Sequence, residues 1–194
     1  MYAYLEGKFT LKNPAQVYID VNGIGFEVNI SLNTFSFIQH IEQGRLYTHL
    51  QVKEDGHTLY GFFEKSEKEM FVQLIGVSGI GAATARMMLS NLKPEEVAIA
   101  IRTNNIKLLE SVKGIGKKTA ERLVLELKDK MGKLGTESNA SFAALGNTVQ
   151  QDALNALQAL GIGKAQAETA VQKLIQVEPE IPLENLIKKA LKAI

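Results

Sequence analysis

The nine residues VSGIGAATA at 77–85 recur as VKGIGKKTA at 112–120, a shift of 35 residues that keeps Val, Gly, Ile, Gly, Thr and Ala in place. Self-matching at a fixed interval constrains a fold more than composition does, because both copies must serve the same local geometry. Each copy follows one helix-like stretch and opens another. Beyond the second copy, Ala120, Leu123, Val124, Leu127 and Met131 mark one apolar helical face. The pair therefore reads as helix, glycine turn, helix, repeated once.

Such a turn has a physical use. Gly79, Gly81, Gly114 and Gly116 permit unusual backbone angles and close approach of a ligand. The unpaired N–H groups that open the following helix, at the positive end of its dipole, bind a phosphate oxygen without reading a base. Ile80 and Ile115 are expected to point inward and pin each helix pair. Lys117, Lys118 and Thr119 open the second helix of the second copy, which places two cations beside a bound anion. Other phosphate loops fail on residues. A Walker A loop needs glycine where Ser111 stands and Ser or Thr where Lys118 stands. A dinucleotide fingerprint needs a third glycine at Thr119 and a strand before the turn, where 108–112 reads as helix.

Gly-Ile-Gly also occurs at 23–25 and 161–163. In the first of these, Asn22-Gly23 separates AQVYIDV from FEVNISL and is hairpin chemistry. Asp55-Gly56 does the same between RLYTHLQVK and HTLYGFF. About five short strands in residues 1–63 predict a small antiparallel, OB-like barrel. Residues 64–131 change to helical periodicity, with Pro94 at a first helical turn. The stretch 132–148 is rich in Gly, Ser and Asn and reads as a flexible linker. Residues 149–194 hold three short helical stretches, and the Gly-Ile-Gly there, without the Thr-Ala continuation, reads as a turn between two of them. The fold class is α+β and multidomain.

Charge follows the same divisions. The net charge of +1 hides −2 over 1–63 (four basic, six acidic), +3 over 64–131 (twelve, nine) and zero over 132–194 (six, six). A polyanion should prefer the middle. With no cysteine, disulfides, thiolate metal centres and thiol catalysis are excluded, and a reducing compartment is expected. His40, His49 and His57 lack metal-ligand spacing, so no metal or cofactor is expected. No signal-like N-terminus and no long apolar run is present, so the expected location is cytoplasmic.

VSGIGAATA and VKGIGKKTAERL resemble tandem helix-hairpin-helix DNA-binding motifs. Together with VKEDGHTLYGF at 52–62 and GIGKKTAERLVLELKD, in the order barrel, two hairpins, linker and helical module, the chain resembles the RuvA family of Holliday-junction branch-migration subunits. The resemblance implies a non-catalytic protein of recombination, repair and the SOS response, and a homotetramer or octamer on four-way junction DNA. It also implies recruitment of the hexameric ATPase RuvB, with the RuvC resolvase as a further partner. On that likeness Glu54 and Asp55 correspond to an acidic pin that faces the junction centre. The UBA-like terminal module would offer Leu157, Leu160 and Ile162 to the ATPase. One departure is Ala82 and Ala83, where many members carry a basic residue, which leaves Arg86 to supply side-chain charge at the first hairpin.

Two other classes remain open on residues alone. In a base-excision glycosylase or lyase, Lys118 would attack a sugar carbon, but the segment where an Asp is wanted is GKLGTESNA, whose only acid is Glu137. In a protein-only adaptor the helices would serve packing and docking, with no affinity for DNA at physiological salt.

Overall fold

The computed structural model describes residues 2–54, 56–134, 145–179 and 181–193. Compact packing divides the chain into Met1–Gly135 and Thr136–Ile194. In the first unit five strands, β1 (Tyr4–Asn13), β2 (Gln16–Val21), β3 (Ile24–Ile30), β4 (Gln43–Lys53) and β5 (Gly56–Phe62), close into a barrel in the order β1-β2-β3-β5-β4. Only β3 and β5 pair in parallel. The β2–β3 hairpin turns at Asn22 and Gly23, with φ of 52° and 89°, the paired positive angles of a type I′ turn. Alternation along each strand sends Leu5, Val17, Ile19, Val28, Ile30, Leu46 and Leu59 into one core.

The chain leaves β3 earlier than FEVNISL predicts. Ser31 caps a short helix, α1 (Leu32–Ile38), by accepting from the Thr34 backbone N–H at 3.0 Å. This helix lays Ile38 and Phe35 on the barrel core, and Lys12 donates to the carbonyls of Gln39 and Ile41 just past its end, at 3.0 and 2.8 Å.

Five further helices complete the unit: α2 (Lys65–Ile75), α3 (Ala82–Asn91), α4 (Pro94–Arg102), α5 (Ile106–Glu110) and α6 (Lys117–Leu134). The change at residue 63 is one of secondary structure, not a gap between bodies. Strand β5 alternates Leu59 into the barrel core with Tyr60 and Phe62 into the helical core. There the ring of Phe71 packs 5.0 Å from Tyr60 and 4.8 Å from Phe62. A buried polar joint lies beside it. Glu67 of α2, 2% exposed, accepts from Thr34 Oγ1 at 2.8 Å and from Ser31 Oγ. Burial pushes this carboxyl above the ordinary glutamate range, and the two hydroxyls oppose the shift without cancelling it.

The second unit is a three-helix module, α7 (Leu145–Ala159), α8 (Lys164–Val177) and α9 (Leu183–Ala193). Its core is small and holds many alanines: Ala153, Leu154, Leu157, Ala167, Ala170, Val171, Ile181, Leu186 and Ala190. Small side chains let three short helices approach closely, and they limit how much apolar area folding removes from water. Of the expected linker, 135–144 lies outside the described residues; helix α6 continues to Leu134 and α7 begins at Leu145.

Candidate nucleic-acid interface

The two matching segments adopt one geometry. In the first, the Ile80 N–H donates to the Val77 carbonyl at 3.1 Å across a turn whose third residue, Gly79, has φ 94°. In the second, Ile115 donates to Val112 at 3.1 Å and Gly114 has φ 94°. Both are type II turns, which require positive φ at that residue and hence glycine. Ile80 and Ile115 are each 5% exposed and sit in the helical core. They pin the turns, and their own N–H groups are engaged within them.

The N–H groups that open each helix follow the second glycine. Helix α3 starts from Gly81, and its first intrahelical bond runs from Ala85 N–H to the Gly81 carbonyl at 2.9 Å; α6 repeats this from Ala120 to Gly116 at 3.0 Å. The N–H groups of Ala82, Ala83 and Thr84, and of Lys117, Lys118 and Thr119, therefore precede the helical ladder. A β-carbon on Gly79, Gly81 or Gly116 would meet nothing within 4 Å, so the backbone over both turns is bare. The turns also lie side by side. A β-carbon on Gly114 would sit 3.8 Å from the Thr84 methyl, and Arg122 Nη1 of α6 donates to the Ser78 carbonyl of the first turn at 3.3 Å. Each hairpin's second helix thus touches the other hairpin's turn.

Side-chain charge is unequal between the two. Lys113, Lys117 and Lys118 are exposed around the second turn, and among the described residues none is paired with a carboxylate. Around the first turn Ser78, Ala82 and Ala83 supply no charge. Arg86 does not fill the gap. Its Nη1 donates to the Ala15 carbonyl at 3.0 Å and to Asn29 Oδ1 at 2.9 Å, both on the barrel, because one helical turn beyond the glycines its side chain faces β2 and β3. The expectation that Arg86 serves the first turn is corrected on that ground.

Elsewhere the expected residues separate. Glu54 is exposed at the end of the β4–β5 hairpin, where Lys53 pairs with Gly56; Asp55 lies outside the described residues. Leu157 is fully buried in the terminal module's core, Ile162 packs partly against it, and Leu160 is 61% exposed. Leu157 is therefore withdrawn from an apolar surface, since its position on α7 faces α8 and α9. The fourth Gly-Ile-Gly is built differently from the pair. Ile162 N–H reaches back to Leu157 and Gly161 N–H to Gln158, both at 3.0 Å, with Gly161 at φ 89°. That is a Schellman helix ending, not the type II turn of the other two.

Two adjacent glycine turns, each opening a helix, in one compact unit with a five-stranded barrel, define a tandem helix-hairpin-helix protein of the nucleic-acid-binding class. Residues 71–129 match the SAM-like helix-hairpin-helix tandem, 1–61 the RuvA N terminal domain and 148–194 the RuvA C-terminal domain. The Holliday junction branch migration complex subunit RuvA of Christiangramia forsetii is 51% identical over 192 residues, covering 99% of both chains. Those of Flavobacterium psychrophilum and Chromobacterium violaceum are 45% and 43% identical, over 99% of both chains and over 100% and 98%. The chain belongs to the RuvA family. No described helix is long and apolar enough to cross a membrane.

Proposed function

We propose that the protein binds four-way DNA junctions, without chemistry of its own, as the DNA-holding subunit of a branch-migration complex. The observation that carries this reading is Gly81. Its φ of −83° and ψ of 164° suit any residue, and a β-carbon there would touch nothing in the chain. Folding does not require glycine at this position; close approach of a backbone phosphate does. Gly116 is equally open. On this reading the phosphates rest on the N–H groups that follow Gly81 and Gly116. Lys117, Lys118 and Thr119 reinforce the second site, while Glu54 and Asp55 repel phosphates at the junction centre. Residues 1–63 serve as the pin-bearing barrel, 64–131 as the DNA-binding region, 132–148 as a linker and 149–194 as the module that meets RuvB through Leu160 and Ile162. A homotetramer or octamer in the cytoplasm, with RuvC as a further partner, completes the assignment. Exposed Lys118 supports holding over lysine nucleophilicity, which calls for a desolvated amine.

The reading is tested by competition. Labelled four-way junction bound to the purified protein at moderate salt is challenged with excess linear duplex of the same sequence. Retention of the junction is the expected result, and equal displacement by duplex would overturn the assignment.

The glycines give a sharper prediction. Gly81→Ala and Gly116→Ala combined leave thermal stability within about 0.5 kcal/mol yet weaken junction binding at least tenfold. Gly79→Ala or Gly114→Ala instead destabilises the fold by about 1 kcal/mol or more, because alanine strains the positive φ. Melting and binding measured on all three variants check the split; a Gly81→Ala/Gly116→Ala protein that binds normally removes the case for backbone approach.

A further inference from the structure

Arg86 stands on α3, the helix that opens at the first glycine turn, but it reaches the barrel instead of the turn. Its two acceptors are neutral: the Ala15 carbonyl between β1 and β2, and Asn29 Oδ1 on β3. Asn29 in turn directs Nδ2 at the Leu59 carbonyl of β5, 3.5 Å away, and is the backbone partner of Tyr60 in the parallel pairing of β3 with β5. Strand β5 leads back to the acidic hairpin at Glu54. Three neighbouring contacts follow the same seam. Ser90 Oγ accepts from Leu32 N–H at 3.1 Å, and Asn33 Nδ2 donates to the carbonyls of Leu89 and Leu92 at 2.6 and 3.3 Å. From Arg86 onward, α3 is therefore held by directional polar bonds, Arg86 to the barrel and Leu89, Ser90 and Leu92 to α1.

Among the described residues no carboxylate pairs with Arg86. A guanidinium held by two neutral oxygens of a second structural element orients that element through directional, charge-assisted bonds. We propose that Arg86, through Asn29, is a positioning residue that fixes the first phosphate-holding turn relative to the acidic β4–β5 hairpin, and thereby sets preference for a junction over linear duplex. The proposal rests on the junction-binding reading and adds to it the origin of its selectivity. A duplex needs only one turn well placed. A junction needs the turns on its arms and the acidic tip at its centre correct together, so a loosened seam costs the junction more.

The test uses the full chain and three variants, Arg86→Ala, Arg86→Lys and Asn29→Ala. For each, affinity for a four-way junction and for duplex of the same sequence is measured across a salt series, with thermal melting to confirm folding. Arg86→Ala and Asn29→Ala should each lower junction preference about tenfold, the scale of one charge-assisted hydrogen bond. Duplex affinity and the salt slope should stay unchanged, and Arg86→Lys, whose ammonium sits on a shorter stem and reaches the two acceptors less well, should recover part of the loss. If Arg86→Ala weakens junction and duplex alike and flattens the salt slope by about 1 while Asn29→Ala is silent, Arg86 is a phosphate contact and the proposal fails. It fails equally if both alanine variants keep wild-type preference. Wild-type protein with no junction preference would instead overturn the binding reading itself, before any variant is compared.

Discussion

Replacing Lys117 and Lys118 together by alanine should lower affinity for four-way junctions by about a hundredfold at low salt, the sum of two charge-assisted contacts. The slope of log affinity against log salt should fall by roughly 2, one for each lost phosphate neutralisation. Both lysines lie in the first turn of α6, exposed and without a carboxylate partner among the described residues. Their charge is thus available to a phosphate, and removing it disturbs no contact in the fold. Every junction sequence should be weakened alike, because phosphate contacts carry no base information. Melting should be unchanged within about 0.5 kcal/mol. Fluorescence anisotropy on labelled junctions of two unrelated sequences measures all of this. Undiminished binding at moderate salt would remove both lysines from the interface and leave the backbone N–H groups alone.

The largest stability effect is expected at Glu67. Alanine there deletes the acceptor of two buried hydroxyls, Ser31 and Thr34, and leaves a cavity between α1 and α2; a loss of about 3 kcal/mol follows. All five tyrosines precede residue 61, so tyrosine fluorescence during urea unfolding of the full chain reports on the first unit. Glutamine in place of Glu67 separates shape from charge. The folded carboxyl holds its proton to higher pH than an exposed glutamate does, so between the two titrations the native state binds more protons than the unfolded one. Wild-type stability, measured against Glu67→Gln, must therefore be greatest below the ordinary carboxylate range and decline as pH rises through the folded-state titration. A difference that is flat with pH, or that grows toward neutrality, would show that burial does not govern this carboxyl.

The parts legible from sequence were those with local causes. Asn22-Gly23 dictates its turn by backbone angle alone, and the 35-residue self-match exposes the tandem hairpins because two copies share one set of steric demands. Helix α1 was not legible: it is seven residues long, too short for periodicity, and its apolar residues continue the strand-like run before it. Its one signal is Ser31 as a cap. Glu67 reads as an ordinary exposed helical acid, since the hydroxyls that bury it lie 33 and 36 residues away. The surroundings of Arg86 are hidden for the same reason. Its distance from the glycines suggests the turn, whereas its acceptors at Ala15, in the β1–β2 turn, and Asn29, on β3, lie 71 and 57 residues earlier. Helical spacing places Leu157 and Leu160 near one another, yet only the packing of α8 and α9 decides which of them is covered.

Strand β5 belongs to two cores at once, with Leu59 turned into the barrel and Tyr60 and Phe62 turned into the helices. A cut after Phe62, natural as it looks from the change of secondary structure, would leave two large aromatic side chains facing water and remove Phe71, against which both rings pack. The barrel is consequently not a transplantable part. Anyone grafting this scaffold, or tracing how such chains are assembled by gene fusion, should expect the inheritable pieces to be the barrel with its helices through α6 as one, and the terminal module as the other.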